Sequence, residues 1–120
     1  MMRPTSSGIE VYLYREPVDM RKSVNGLAIL VEAGLQLNPF STHLFVFTNR
    51  GRDKIKILYW ESSGFVLWYK RLEQARFIWP QDDVTVVSLS GQQLNWLLDG
   101  YDINRLKPHE KLSNSAVSYA

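Results

Sequence analysis

The stretch "HLFVFTNRGRDKIKILYWESSGFVLWYKRL", His43 to Leu72, decides the fold. It holds three extended runs separated by two short turn signals, "RGRD" and "ESSG". In "KIKILYW", Ile55, Ile57 and Tyr59 fall on one face, and Lys54, Lys56, Leu58 and Trp60 on the other. In "FVLWYKRL", Val66, Trp68, Lys70 and Leu72 alternate with Phe65, Leu67, Tyr69 and Arg71. That period of two is the mark of a strand. "HLFVFTN" is nearly all apolar, as expected of a strand covered on both faces. Turns this short join antiparallel neighbours.

Working outward, "IEVYLY" alternates Ile9, Val11 and Leu13 with Glu10, Tyr12 and Tyr14, which predicts a strand half-buried on one side. Pro17 breaks the pattern, and Asp19 is the expected N-cap of a helix. Val24, Leu27, Ala28, Val31 and Leu35 then recur at helical spacing, with Gly34 as the stop. Gly26 inside that helix costs roughly 1 kcal/mol against Ala and would mark a close backbone approach. "QLNPFST" reads as a loop. Beyond Leu72, "QARFIWP" is a short extended piece ended by Pro80, and "VTVVSL" is a further strand. "SGQQLNWLLDGYD" carries a capping box at Ser90 and Gln93, an apolar face of Leu94, Leu97, Leu98 and Tyr101, and a stop at Gly100.

The reading is α+β: a twisted antiparallel β-meander of about five strands, with an N-terminal helix packed on it and a short C-terminal helix. Residues 1–8 are expected to be a flexible leader, 9–103 a single domain, and 104–120 a mobile tail poor in large apolar residues. A chain of 120 residues, 45% hydrophobic and 22% charged, has room for one core. It contains no cysteine, so disulfides and thiolate metal sites are excluded. "MMRPTSSGIE" lacks a signal-peptide apolar region, and no apolar run approaches the ~18 residues of a membrane span. A cytoplasmic location is expected, with no membrane partner.

A net charge of +2 is too mild to indicate a polyanion partner by itself. Its distribution says more. Between Thr48 and Pro80 seven basic residues face three acidic ones, whereas between Gln81 and Asn104 there are four acids and no Lys or Arg.

Catalytic signatures are few. "GRDKIK" lacks the ending and the helix context of a phosphate loop. His43 and His109 are far apart, and His43, at the head of an apolar strand, reads as a satisfied structural residue. No serine sits in a nucleophile elbow. Asp19, Asp53, Glu61 and Asp99 are scattered over a cap, two turns and a helix end, so no carboxylate cluster is foreseen for metal-assisted chemistry. The expectation is no enzyme, no catalytic residue, no metal and no cofactor.

In "DMRKS", Arg21 and Lys22 beside free amide groups at a helix start would form an anion site. The alternative is that Asp19 caps while Arg21 pairs with a nearby carboxylate; both readings stand. Along the two central strands, rings beside cations could stack on bases while Lys and Arg hold phosphates. A domain this small needs most of its rings inside, so about two-thirds of the seven aromatics from Tyr59 to Trp79 are expected to be buried.

The strings "VDMRKSVNGLAILV", "NPFSTHLFVFTNRGRDKIKILYWESSGFVLWYKRLEQARFIWP" and "LSGQQLNWLLDGYD" together resemble the TnpB-type accessory protein of insertion-sequence family 66, over about Ile9 to Asp102. Asp19 to Ser23 matches the family's N-terminal signature. Asn49, Arg50, Lys56, Tyr59 and Trp60 match its first hairpin, and Gly64, Phe65, Trp68, Tyr69, Lys70, Arg71, Leu72 and Glu73 its second. Phe77, Trp79 and Pro80 close the block, and "ESSG" departs modestly from the more acidic turn of other members. The resemblance implies a role in transposition beside a separate transposase, without strand-transfer chemistry of its own.

The expected partners are therefore DNA at the element ends and the transposase. The expected contacts are Arg21, Lys22, Arg50, Arg52, Lys54, Lys56, Lys70, Arg71 and Arg76, with aromatic support from Tyr59, Trp60, Trp68 and Tyr69. The alternative is an assembly module that docks on the transposase without touching DNA. Oligomeric state is left open.

Overall fold

The alternation of the central strands becomes two covered faces. A computed structural model describes residues 9–81 and 84–106. The elements are β1 (Val11–Tyr14), α1 (Val24–Ile29) running into a single π-helical turn (Leu30–Gly34), β2 (Leu44–Thr48), β3 (Lys54–Glu61), β4 (Gly64–Arg71), β5 (Val86–Leu89) and α2 (Gly91–Leu98). The expected leader, the Asp82–Asp83 pair and residues 107–120 of the expected tail lie outside the described residues.

The five strands form one sheet in the order β4-β3-β2-β1-β5. The α+β class and both helices are as expected. The meander, however, covers only β2, β3 and β4, because β1 pairs with β2 in parallel. A chain that leaves β1, builds a helix and returns beside it has crossed the sheet, and a crossover returns a strand in the same direction. The fifth strand is β5, antiparallel to β1; the "QARFIWP" segment forms no strand.

One face, under α2, buries Val11, Leu13, Leu44, Val46, Ile55 and Ile57 with Leu94, Leu97 and Leu98. The opposite face, under α1, buries Phe45, Phe47 and Leu58 with Leu27 and Val31. Tyr12 and Tyr14 pack against this second cluster, so β1 is covered on both sides rather than one. Phe77 and Trp79 fill the α2-side core, and the Trp79 indole donates to the Arg15 carbonyl at 3.2 Å. Truncating one such buried ring to alanine costs about 3–5 kcal/mol.

α2 begins and ends as its sequence demands. The Ser90 hydroxyl accepts from the Gln93 amide, and the Gln93 side chain accepts from the Ser90 amide. At the other end Gly100 takes a φ of 93°, with Gly100 N–H bonded to Leu97 O and Tyr101 N–H to Trp96 O, a Schellman ending. That left-handed residue swings Tyr101 out to 55% exposure, off the apolar face it was expected to join.

The start of α1 departs further. Its N-cap is Ser23, without a side-chain cap. Asp19 instead closes its own turn upstream, accepting from the Arg21 amide at 2.8 Å. Short acidic side chains bond nearby amides outside helices as readily as at caps. A Cβ on Gly26 would meet the Lys22 stem at 3.4 Å, ordinary contact, so no close backbone approach explains that glycine.

Candidate nucleic-acid interface

Register places the hairpin cations. Lys54 lies opposite Arg71 and Lys56 opposite Tyr69, all on the α1 side of the sheet. Lys70 lies opposite Ile55 and therefore points to the other face, where its ammonium donates to the Leu98 carbonyl at 3.2 Å. There a lysine meets the carbonyl end of α2, which a cation stabilises. Lys70 and Arg71 thus do not act together.

The turn between β2 and β3 is built by Asn49. Its side chain donates to Asp53 at 2.7 Å and accepts from the Lys54 amide at 3.2 Å, and its carbonyl takes the Arg52 amide. Thr48, buried, donates its hydroxyl to the Lys54 carbonyl at 2.9 Å. The Asn49 bond holds the Asp53 carboxyl below its ordinary pKa. Arg52 sits in the left-handed region at φ 58°. Its carbonyl accepts from Phe77 at 2.7 Å, and Asp53 O accepts from Leu72 at 2.7 Å, which ties the Arg76 segment to the turn. Between them lies a cleft of about 320 Å³ lined by Gly51, Asp53, Leu72 and residues 73–76.

On the other side of the turn, Val18 N–H bonds Thr48 O, and the Lys56 ammonium donates to Met20 O at 2.7 Å and to Lys22 O at 2.8 Å. Lys56 therefore works inward, tethering the segment before α1, and sits 5.8 Å from the centre of the Tyr69 ring. Arg21 is held by Asp19 at 2.6 Å. The bond from its guanidinium, and next its amide bond, lower the Asp19 carboxyl to about 2. Of the second reading of "DMRKS" only the ion pair is observed: Arg21 pairs with Asp19 itself, which caps no helix, and Arg21 and Lys22 precede α1 instead of forming its first turn.

All the nominated cations except Lys70 are thus gathered at one end of the sheet. Lys54 pairs with Asp53 at 3.5 Å and Arg71 with Glu73 at 3.0 Å, which raises the arginine's pKa further. Lys22, Arg50, Arg52 and Arg76 have no ion-pair partner among the described residues.

The aromatics are not gathered there. Tyr59 and Trp68 are on the α2 face, packed against its core, and burial raises the Tyr59 pKa. Trp60 shares the cations' face but stands six residues from Lys54, roughly 20 Å along the strand. There it meets Phe65 and Phe40, with ring centres 5.1 Å from each. Only Tyr69, 45% exposed, stands beside the cations. Of the seven rings from Tyr59 to Trp79, Phe77 and Trp79 are fully buried, four are half-buried and Tyr69 is exposed.

Two features had no clear signal in the sequence. Phe40, within the expected loop, and Ile29 on α1 are 54% and 66% exposed and flank a groove of about 420 Å³ with Phe65. His43 packs edge-on against Tyr12, and its buried Nδ1 has no hydrogen-bond partner, so it is not the fully satisfied histidine expected. The four carboxylates do not converge: Glu61 closes the far end of β3 from Asp53, and Asp99 follows α2 on the other face. Among the described residues no group of three His, Asp or Glu could hold a metal ion. No helix there is long and apolar enough to cross a membrane.

These observations define a small α+β protein with a mixed five-stranded sheet and, at one end, cations that have no ion-pair partner among the described residues. The chain belongs to the IS66 Orf2-like family, whose pattern matches residues 9–108. Two proteins of Sinorhizobium fredii, described as uncharacterized proteins y4hO and y4jC, are similar to it. They are 35% and 33% identical, over 84% and 85% of this chain and 88% and 87% of their own lengths. No solved structure matches. Membership places the chain among the accessory proteins associated with transposition of such elements.

Proposed function

We propose that this accessory protein acts without catalysis of its own and binds DNA in the cytoplasm, at the ends of its element, through the basic end of the sheet. The observation that carries this reading is the set Lys22, Arg50, Arg52 and Arg76, cations without an ion-pair partner among the described residues, in and beside the β2–β3 turn. Free cations gain most from phosphate, because no internal ion pair has to be broken first. Lys54 and Arg71 flank them as paired charges, Lys56 and Asn49 support the turn from behind, and Tyr69 offers a ring at the margin.

Fluorescence anisotropy with element-end and random duplexes tests it. The triple variant Arg50→Glu, Arg52→Glu, Arg76→Glu is expected to lose roughly one to two orders of magnitude of affinity. It should also flatten the dependence of log K on log salt by about one unit per cation removed. Lys70→Gln, on the opposite face, is expected to bind as wild type. No binding at low salt, or equal loss in both variants, rejects the reading.

A second reading is favoured by the groove that exposed Ile29 and Phe40 line with half-buried Phe65, which suits a protein anchor and would make the chain a docking module for the transposase. Co-purification of the two proteins after nuclease treatment, abolished by Ile29→Asp with Phe40→Asp, would support it.

A further inference from the structure

β4 is the outer strand of the sheet, eight residues long, and no described strand pairs with its outer edge. Its partnership with β3 runs without a bulge from Lys54–Arg71 to Glu61–Gly64. The strand contains no proline, and its two charges, Lys70 and Arg71, both lie at one end. Native sheets ordinarily blunt an edge of this length with a bulge, a proline, central charges or a covering element. The other edge, β5, is only four residues long. Phe65, Val66, Leu67 and Trp68 are half-buried and Tyr69 exposed, although β3 already lies beside them.

We propose that this edge pairs with β4 of a second copy of the chain, antiparallel and about a two-fold axis at Leu67. Self-pairing of a strand must set residues of the same face opposite each other, so the axis passes through a residue and not between two. With the axis at Leu67, Phe65 faces Tyr69 of the second copy on the α1 side, and Val66 faces Trp68 on the α2 side. These are the aromatic and aromatic–β-branched pairs that stabilise ladders. With the axis at Trp68, Phe65 and Val66 would instead face Arg71 and Lys70, apolar against charged.

Charge also fits the Leu67 axis. Arg71 of one copy comes opposite Ser63 of the other, at the turn that carries Glu61, which is exposed and without an ion pair among the described residues. Lys70 comes opposite Gly64, where a Cβ would meet no atom within 4 Å, leaving open space for the lysine stem. The two apolar sheet faces then continue across a ten-stranded dimer, with the backbone groups of both edges paired. Nothing in this assembly depends on the DNA reading.

The chain contains no cysteine, which makes the test direct. Directly opposed antiparallel residues have Cα atoms about 4.5–5.5 Å apart, within disulfide reach. Sedimentation velocity of the full chain is expected to show a dimer at micromolar concentration. Leu67→Cys under mild oxidation is expected to run as a covalent dimer on non-reducing gels, and Ile29→Cys as a monomer. Leu67→Lys sets two like charges face to face and should lose the dimer. Tyr69→Lys, at an exposed position, should weaken it while keeping the wild-type circular dichroism and melting profile. Three results would overturn the proposal: a wild-type monomer throughout the concentration range, a dimer that cross-links through position 29 and not 67, or Leu67→Cys adducts in lysate that join a different protein.

Discussion

The two ends of the β3–β4 hairpin share strands, register and α1-side face, yet they are built from opposite chemistry. At the Lys54–Arg71 end the chain is held by polar groups: the Asn49 staple, the buried Thr48 hydroxyl, ion pairs to Asp53 and Glu73, and the Lys56 ammonium on two carbonyls. At the Trp60–Phe65 end it is held by three rings in mutual contact. Alternation along a strand decides which face a residue joins, and position along it decides which neighbours it has. A stretch that mixes tryptophans with arginines can therefore yield two separate surfaces, one ionic and one apolar, without any blended patch.

The contrast can be broken from either end. The largest effect on stability is expected from Trp60→Ala, which removes the centre of the ring cluster. It should cost about 2 kcal/mol, less than the 3–5 of a fully buried ring because Trp60 is only half-buried. If the ends are separate, DNA affinity in anisotropy titrations stays unchanged. Lys56→Met acts at the polar end. Losing two charge-assisted bonds at a partly solvated site should cost about 1–2 kcal/mol in urea melts. Amide exchange should rise in residues 18–23 and not around Trp60.

A smaller, opposite effect is expected at the aromatic turn. Ser62 holds a φ of 51°, a left-handed conformation that glycine adopts freely. Ser62→Gly should therefore raise stability by about 0.5 kcal/mol once the glycine's extra unfolded-state freedom is set against the relieved strain.

The subtlest probe is acid. The Asp19 carboxyl titrates near 2 in the folded chain against 3.8 unperturbed. Its contribution to stability is therefore complete above about pH 4 and fades as pH falls toward 2. An NMR titration should place its midpoint near 2, and Arg21→Gln should return it toward the ordinary range.

How far these features can be read from residues alone differs between the two ends. The opposition of Lys70 and Arg71 follows from alternation, since neighbours on a strand cannot share a face. Both helices, the Ser90 box and the Gly100 stop are local chemistry, and local chemistry is written in adjacent residues. The parallel β1–β2 pairing is not local: a four-residue run carries no mark of its partner's direction, and only the helix between the two strands, which makes the connection a crossover, implies it. Asp19 suits a cap by type, but the choice between capping and closing its own turn is not written in adjacent residues; the segment is also held by Lys56, thirty-odd positions away, through the Met20 and Lys22 carbonyls. Phe40 reads only as part of a loop because the rings it joins, Trp60 and Phe65, come from a hairpin not adjacent in sequence.

The strand order also sets a timetable. β2, β3 and β4 are neighbours in sequence and need only two tight turns to meet, so their ladders close early and at small entropic cost. β1 leaves the ribosome before the other described strands, yet its ladder is completed only by β5, with Val11 against Leu89 and Tyr14 against Val86. The earliest of the described strands must therefore wait for the latest, and a message cut short before Val86 yields a sheet in which β1 has one side unclaimed.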